Sequence, residues 1–208
     1  MSDVAFVFSN PGHHLEMMAP VAAELARRKV RCSLVSLAEL RGFKTPSESG
    51  AQRAIPLNVR RRRAGAAAPA DRGGEPSVWR STLAQKLVWN LGLGPRLRWM
   101  LRRARVIVVP NDAVYPYFEL VDQLHQGRAR TVLMQEGIRF QPPPSYTGPR
   151  YGSAVSAAVC AWGEGSKDFF VAGNVPEGRI VVTGAPRLDS LDVASWRERG
   201  QELLRKLD

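Results

Sequence analysis

The chain has 208 residues, of which 44% are hydrophobic and 24% are charged, and its formal net charge is +11. This length and composition predict one globular domain, or one domain plus an appendage, with its own apolar core. No apolar run reaches the ~20 residues that a membrane-spanning helix needs. Two cysteines without a signal peptide predict reduced core residues of a cytosolic protein, which excludes a disulfide-rich secreted scaffold.

The chain opens with a predicted strand, loop and helix. Residues 4–8 read VAFVF, a continuous apolar run too short for a helix and typical of a buried parallel strand. A turn follows at 10–12, and apolar residues at helical spacing then predict a helix that ends near residues 27–29. In open α/β sheets ligands bind at the carboxyl ends of the strands, and helix N-termini attract anions. His13, His14 and Glu16 are therefore candidate site residues.

Two further strands are predicted in the next forty residues. Residues 31–36 form the second, a short helical turn covers 37–41, and residues 53–57 form the third, with Pro56 marking its end or a sheet edge. Strands that alternate with helices in this way predict a doubly wound parallel sheet.

Positive charge is concentrated between residues 60 and 105. This segment holds twelve Lys or Arg against Asp71 and Glu75, a local net charge of +10. Residues 60–76 contain four consecutive arginines among Gly, Ala and Pro without hydrophobic periodicity, which predicts a mobile loop. The partner that this charge implies contacts one face of the molecule only.

Three tryptophans are interleaved with these basic residues. The sequence predicts a helix here that Gly92 and Gly94 interrupt, and a second helix that begins at Pro95. Two interpretations stay open. Trp and Arg on amphipathic helices suit an anionic membrane interface. Alternatively, the tryptophans pack on the core and the arginines face water. The three residues are Trp79, Trp89 and Trp99.

The second half continues the alternation of strands and helices. Predicted strands cover 106–109, 131–134, 157–161 and 180–182, and predicted helices cover 117–126, 166–172 and 196–207. Together with residues 4–8 and 32–35, these strands are expected to form the core of a three-layer α/β sandwich with a mainly parallel sheet.

Two patches resemble known enzymes. The run GHHLEM at residues 12–17 is similar to the loop that opens the membrane-associated subunit of two-subunit N-acetylglucosaminyltransferases and related bacterial exopolysaccharide enzymes. Residues 162–163 (WG) and 182–189 (VTGAPRLD) resemble the end of the first domain in sugar-nucleotide 2-epimerases and glycerophosphate polymerising enzymes. The chain thus resembles the N-terminal half of a glycosyltransferase of the GT-B architecture, which has two facing Rossmann-like domains.

The resemblance implies a domain arrangement. Residues 1–190 correspond to the N-terminal, acceptor-binding domain, 60–104 to a basic insertion, and 191–208 to a linker helix toward a second domain or partner. No stretch resembles the second GT-B domain, which holds the nucleotide-sugar, and there is neither a G-x-G-x-x-G nor a P-loop motif. We therefore expect either the first half of a longer enzyme or a subunit that needs a catalytic partner.

The resemblance also implies site residues. His13 is the expected base on the acceptor hydroxyl, with Glu16 or His14 orienting it. Glu136, at a corner where the related enzymes often carry a His-Gly pair, and Asp112 are expected to line the same cleft, although either could be a solvated loop carboxylate. His14 could equally be a surface residue, and Glu16 a first-turn carboxylate favoured by the helix dipole. The residues expected to contact the nucleotide-sugar are Gly12, Gly137, Thr183, Gly184 and Arg187.

The implied function is transfer of a sugar from a nucleotide-sugar to a lipid-linked or glycan acceptor, by a cytoplasmic enzyme peripheral to the inner face of the cell membrane. The donor is a substrate, so no cofactor is expected, and three histidines without ligand spacing predict no metal site. The alternatives are a sugar-nucleotide epimerase half-domain and a non-catalytic membrane-anchoring subunit. Charge alone suggests nucleic acid, but no nucleic-acid-binding motif supports that partner.

Overall fold

Strands and helices alternate along the chain, as the sequence predicts. The structure is a computed structural model that describes residues 2–54, 83–125, 127–137, 151–189 and 193–207. The strands are β1 (Val4–Phe8), β2 (Cys32–Ser36), β3 (Gln52–Arg53), β4 (Val106–Val109), β5 (Arg130–Met134), β6 (Ala158–Ala161) and β7 (Ile180–Val182). The helices are α1 (Pro11–Arg27), α2 (Leu83–Val88), α3 (Gly94–Leu101), α4 (Tyr117–His125), α5 (Glu164–Ala172) and α6 (Val193–Leu207).

The seven described strands form one sheet in the order β3-β2-β1-β4-β5-β6-β7. Every pairing between them is parallel, and Val4 of β1 is in register with Cys32 on one side and Val106 on the other. The prediction of a Rossmann-like α/β fold with a mainly parallel sheet is confirmed. All the described strands therefore end at the same edge of the sheet.

Side chains of β1 alternate between two apolar layers, as the period of two in a strand requires. Ala5 and Val7 face the cluster that also holds residues of α3, α4 and α5. Phe6 and Phe8 face the opposite cluster, with Met17 of α1. Helices thus cover both faces of the sheet, which makes the continuous apolar run at 4–8 a central strand.

The edges of the sheet differ from the predictions. Val181 and Val182 were predicted to lie in the core, but both are exposed, because β7 is the last strand in the sheet and only Ile180 is buried. The third strand, predicted at 53–57, is found at Gln52–Arg53. Residues 55–57 of that prediction, and the predicted mobile loop at 60–76, lie outside the described residues.

The predicted break at Gly92 and Gly94 is wrong. A π-helical turn, Trp89–Leu93, joins α2 directly to α3. A Cβ on Gly94 would lie 2.9 Å from the carbonyl oxygen of Trp89 and 3.2 Å from its indole nitrogen, so this glycine permits a close approach inside the helix. With the wider π turn in place, residues spaced four apart along this helix all face the core. The buried residues of that face are Trp89, Leu93, Leu97 and Leu101.

The tryptophans of the basic segment have opposite environments. Trp89 is only 3% exposed and packs edge-on against Tyr115, so the membrane-facing interpretation is wrong for this residue. Trp99 is 66% exposed, and the Arg102 guanidinium lies 4.5 Å from its ring centroid. Trp79 lies outside the described residues. Among the described helices, none combines the length and apolar character needed to cross a membrane.

Candidate functional site

The candidate site lies where the order of strands reverses. β1 is flanked by β2 on one side and by β4, much later in the chain, on the other. In open α/β sheets such a switch point opens a crevice at the carboxyl ends of the strands. The loops after β1, β4 and β5 meet in this crevice, and a short turn after β7, Pro186–Leu188, reaches it.

Helix α1 begins earlier than the sequence predicts, at Pro11. Asn10 caps the helix, since its side-chain oxygen accepts a hydrogen bond from the backbone N–H of His13 at 3.3 Å. Proline is well suited to the first helical position because it has no N–H to satisfy. His13 and His14 consequently lie in the first turn of a 17-residue helix, facing the crevice.

His14 is buried, with 2% of its surface exposed, so the alternative of a surface residue is wrong. Its Nδ1 accepts hydrogen bonds from the backbone N–H groups of Ser9 and Asn10, both at 3.2 Å. Because Nδ1 is an acceptor, the ring proton lies on Nε2, which donates to Glu136 Oε2 at 2.9 Å. Neither nitrogen of His14 is therefore free to take a proton from a substrate in this arrangement.

Glu136 connects the loops of the site. Its Oε1 accepts a hydrogen bond from Asn111 Nδ2 at 2.8 Å, and its Oε2 accepts the hydrogen bond from His14 Nε2. Its backbone oxygen accepts a hydrogen bond from His13 Nε2, and its backbone N–H donates to the Tyr151 hydroxyl at 3.3 Å. The alternative of a solvated loop carboxylate is therefore wrong for Glu136.

His13 is held in one tautomer. Nε2 faces the carbonyl oxygen of Glu136, which can only accept, so Nε2 carries the proton and Nδ1 carries the lone pair. An Arg187 Nη1 lies 3.4 Å from Nδ1. The guanidinium of Arg187 also stacks over Trp162, 4.7 Å from its ring centroid. The site thus places a basic nitrogen and a permanent cation side by side.

The other predicted residues contribute less to this cluster. Glu16 is exposed, and no hydrogen bond or ion pair joins it to any other described residue, so nothing here shows it orienting His13. Gly12 is exposed beside the N-cap, and the carbonyl of Gly137 accepts a hydrogen bond from Gln135. Thr183 and Gly184, which has a φ of +80°, follow β7 at the same edge of the sheet.

Asp112 has a structural role in holding two segments of the chain together. It is fully buried, and its carboxylate accepts hydrogen bonds from the backbone N–H groups of Gly152 at 2.8 Å and Ala154 at 3.0 Å. It therefore fastens the loop after β4 to the segment before β6. Burial raises the pKa of the Asp112 carboxyl above its ordinary value of 3.8, although these backbone hydrogen bonds act in the opposite direction.

The raised pKa of Asp112 predicts a pH dependence of stability. The folded protein binds this proton more tightly than the unfolded chain does. The resulting contribution to the free energy of unfolding is therefore present below pH 3.8 and is lost as the pH rises through the pKa of the folded state. Asn cannot titrate. In urea unfolding at several pH values, the wild type should lose stability relative to Asp112→Asn as the pH rises. A difference between the two proteins that stays constant or changes in the wild type's favour would contradict this.

Asn111, Tyr151 and Trp162 were missed as site residues. Asn111 lies two residues after the end of the apolar strand β4, a position that could have indicated a site. Tyr151 gives no local signal, since its hydroxyl donates to the carbonyl of Pro110, 41 residues away. In the described part of the chain no three His, Cys, Asp or Glu side chains converge in a way that could hold a metal ion.

The comparisons with known proteins bear on the fold. No family model and no curated protein matches the sequence. Among solved structures, the UDP-GlcNAc 2-epimerase of Neisseria meningitidis, bound to UDP-GlcNAc, is similar, with a TM-score of 0.57 and 16% sequence identity. The match covers 98% of this chain and 52% of that protein, so the chain spans about half the length of its structural neighbour. The chain therefore has the Rossmann-like α/β fold of one half of a GT-B architecture.

Proposed function

We propose that the chain is the acceptor-binding half of a glycosyltransferase, which moves a sugar from a nucleotide-sugar to a lipid-linked or glycan acceptor. The observation that carries this proposal is His13, whose Nδ1 lone pair lies beside the Arg187 cation at the switch point of the sheet. Glycosyl transfer needs these two groups, a base for the acceptor hydroxyl and positive charge near the departing diphosphate.

In the proposed reaction the acceptor oxygen attacks the anomeric carbon of the donor. The bond from that carbon to the phosphate oxygen breaks, its electron pair stays with the diphosphate, and the acceptor proton moves to His13 Nδ1. The carbonyl of Glu136 holds Nε2–H and so keeps the lone pair on Nδ1, the nitrogen that acts as the base in this proposal. Arg187 is suited to the diphosphate, because a guanidinium can donate two hydrogen bonds to one phosphate group. A second domain or subunit would hold most of the donor.

His14 and Glu136 are positioning residues in this proposal. His14 donates to Glu136, and Asn111 donates to the other carboxylate oxygen, so the loop after β5 is fixed against the start of α1. The carbonyl that orients His13 belongs to this same loop. A sugar-nucleotide epimerase half-domain is the second candidate, favoured by the identity of the structural neighbour.

Product analysis separates the two candidates. The chain, together with the domain or subunit that completes it, is incubated with radiolabelled UDP-GlcNAc, the ligand of the structural neighbour, and with other labelled nucleotide-sugars, with and without membrane extract. We expect label to move into an extractable acceptor only when the extract is present. Label that stays in a nucleotide-sugar, with the configuration of the sugar changed, would contradict the transferase and support the epimerase. The absence of product from every donor would contradict both candidates.

We also propose that the enzyme works at an anionic membrane surface. Leu87, Leu91 and Trp99 project large apolar side chains to solvent from α2, the π turn and α3, and Leu91 is 80% exposed. Exposed Arg98 and Arg102 lie on α3 and directly after it. Apolar groups flanked by guanidinium groups suit the boundary between lipid tails and anionic headgroups.

Liposome co-sedimentation tests this surface. Burying a large apolar side chain contributes about 1.5–3 kcal/mol, so the double variant Leu91→Ala, Trp99→Ala should bind anionic vesicles at least about tenfold more weakly. Leu204→Ala is the matched control, because Leu204 is 65% exposed on α6 and lies outside this surface. Unaltered sedimentation of the double variant would contradict the proposal.

A further inference from the structure

Both nitrogens of His13 are occupied in this structure. Nε2 donates to the carbonyl of Glu136, and the lone pair on Nδ1 faces the Arg187 Nη1 at 3.4 Å. A nitrogen whose lone pair accepts a hydrogen bond cannot accept a substrate proton at the same time. His13 can therefore act as a base only after the guanidinium of Arg187 has moved.

The contact between Arg187 and His13 is weaker than the contact that a phosphate group offers to a guanidinium. The guanidinium lies on the face of Trp162 and donates to a neutral imidazole. A guanidinium can donate two parallel hydrogen bonds to one negatively charged phosphate group, whereas His13 Nδ1 offers a single acceptor without a negative charge.

We propose that Arg187 blocks His13 Nδ1 until a phosphate group of the nucleotide-sugar draws the guanidinium away. The binding of the donor must then precede deprotonation of the acceptor. This inference rests on the base role proposed above for His13, and it adds an order to the reaction.

Chemical modification tests the block without any transfer assay. Diethyl pyrocarbonate attacks the unprotonated nitrogen of imidazole, and the chain has three histidines in three environments. His13 has its lone pair occupied, His14 is buried, and His125 is exposed at the end of α4. Mass spectrometry of the modified peptides reads the three rates separately, with His125 as the internal reference.

We expect His13 of the full chain to be modified slowly relative to His125. Arg187→Ala should raise the His13 rate by up to about tenfold, the amount by which one hydrogen bond of ordinary strength protects the lone pair. Inorganic pyrophosphate should raise the rate in the wild type but not in Arg187→Ala, and sodium chloride at equal ionic strength should not. Arg128→Ala, an exposed residue before β5, should behave as the wild type does.

Three results would overturn the inference. They are a His13 rate equal to that of His125 in the wild type, no increase in Arg187→Ala, and no increase with pyrophosphate. Circular dichroism confirms that the variant is folded, and Trp162→Phe, which weakens the stack but keeps Arg187, should give an intermediate rate. Since no sugar transfer is measured, a failure here is separate from a failure of the proposed glycosyltransferase.

Discussion

His13→Ala should lower kcat of the complete enzyme by about 10²–10⁴, the usual contribution of a general base. The imidazole is the group whose Nδ1 would take the acceptor proton, and alanine offers no replacement. Nucleotide-sugar affinity should change little, because the proposed donor site lies mostly on another domain or subunit. A loss in kcat without a matching change in donor binding identifies an interaction made in the transition state. Steady-state kinetics with varied donor, together with donor binding by calorimetry, measures both.

His125→Ala is the matched control for this variant. His125 is exposed in the last turn of α4, so its removal should leave kcat within experimental error of the wild type. A folded His13→Ala enzyme with unaltered turnover would remove the base assignment. The loop after β1 would then be a helix start that holds two histidines for structural reasons.

Glu136→Gln should destabilise the protein by about 2–3 kcal/mol, although glutamine has nearly the same shape. Glu136 accepts hydrogen bonds at both carboxylate oxygens, from Asn111 and from His14. Glutamine replaces one acceptor by an NH₂ donor, which must then face another donor. The hydrogen bonds around both partners prevent either from adapting.

Asn111 cannot rotate its amide, because its side-chain oxygen already accepts from the backbone N–H groups of Ala113 and Val114. His14 cannot change tautomer, because a proton on Nδ1 would face the N–H groups of Ser9 and Asn10. One buried donor is therefore left without an acceptor.

Urea unfolding measures this cost, with Glu48→Gln as the control at an exposed position, where a change within about 0.5 kcal/mol is expected. The same Glu136→Gln variant should lose about 10² in kcat, since the loop that orients His13 shifts. Equal stability of Glu136→Gln and the wild type would show that the carboxylate does not connect these loops.

The fold could be predicted from the sequence because its signals are local. Residues 4–8 and 106–109 are short apolar runs of strand formers, and both are central strands of the sheet. The alternation of strands and helices predicted parallel pairing, and the strand ends marked the edge at which His13, Glu136 and Arg187 lie.

The contacts inside the site could not be predicted, because they join distant parts of the chain. His14 and Glu136 are 122 residues apart, and their strands are not neighbours in the sheet, since β4 lies between them. The hydrogen bonds from the Ser9 and Asn10 N–H groups to His14 Nδ1 are local, but they depend on how the turn orients these groups toward the ring. The π turn at Trp89–Leu93 was missed because Gly92, inside it, and Gly94, directly after it, were interpreted by the usual role of glycine as a helix breaker.

Chemical rescue of His13→Ala by imidazole tests most directly the claim that His13 is the base of a glycosyl transfer at this site. The alanine variant leaves space beside Arg187, and a free imidazole there can take the acceptor proton. We predict that added imidazole restores transfer by the complete His13→Ala enzyme in a concentration-dependent way, and that it does not restore transfer by His14→Ala, whose ring only positions Glu136. Rescue of both variants alike, or of neither, would contradict the base assignment.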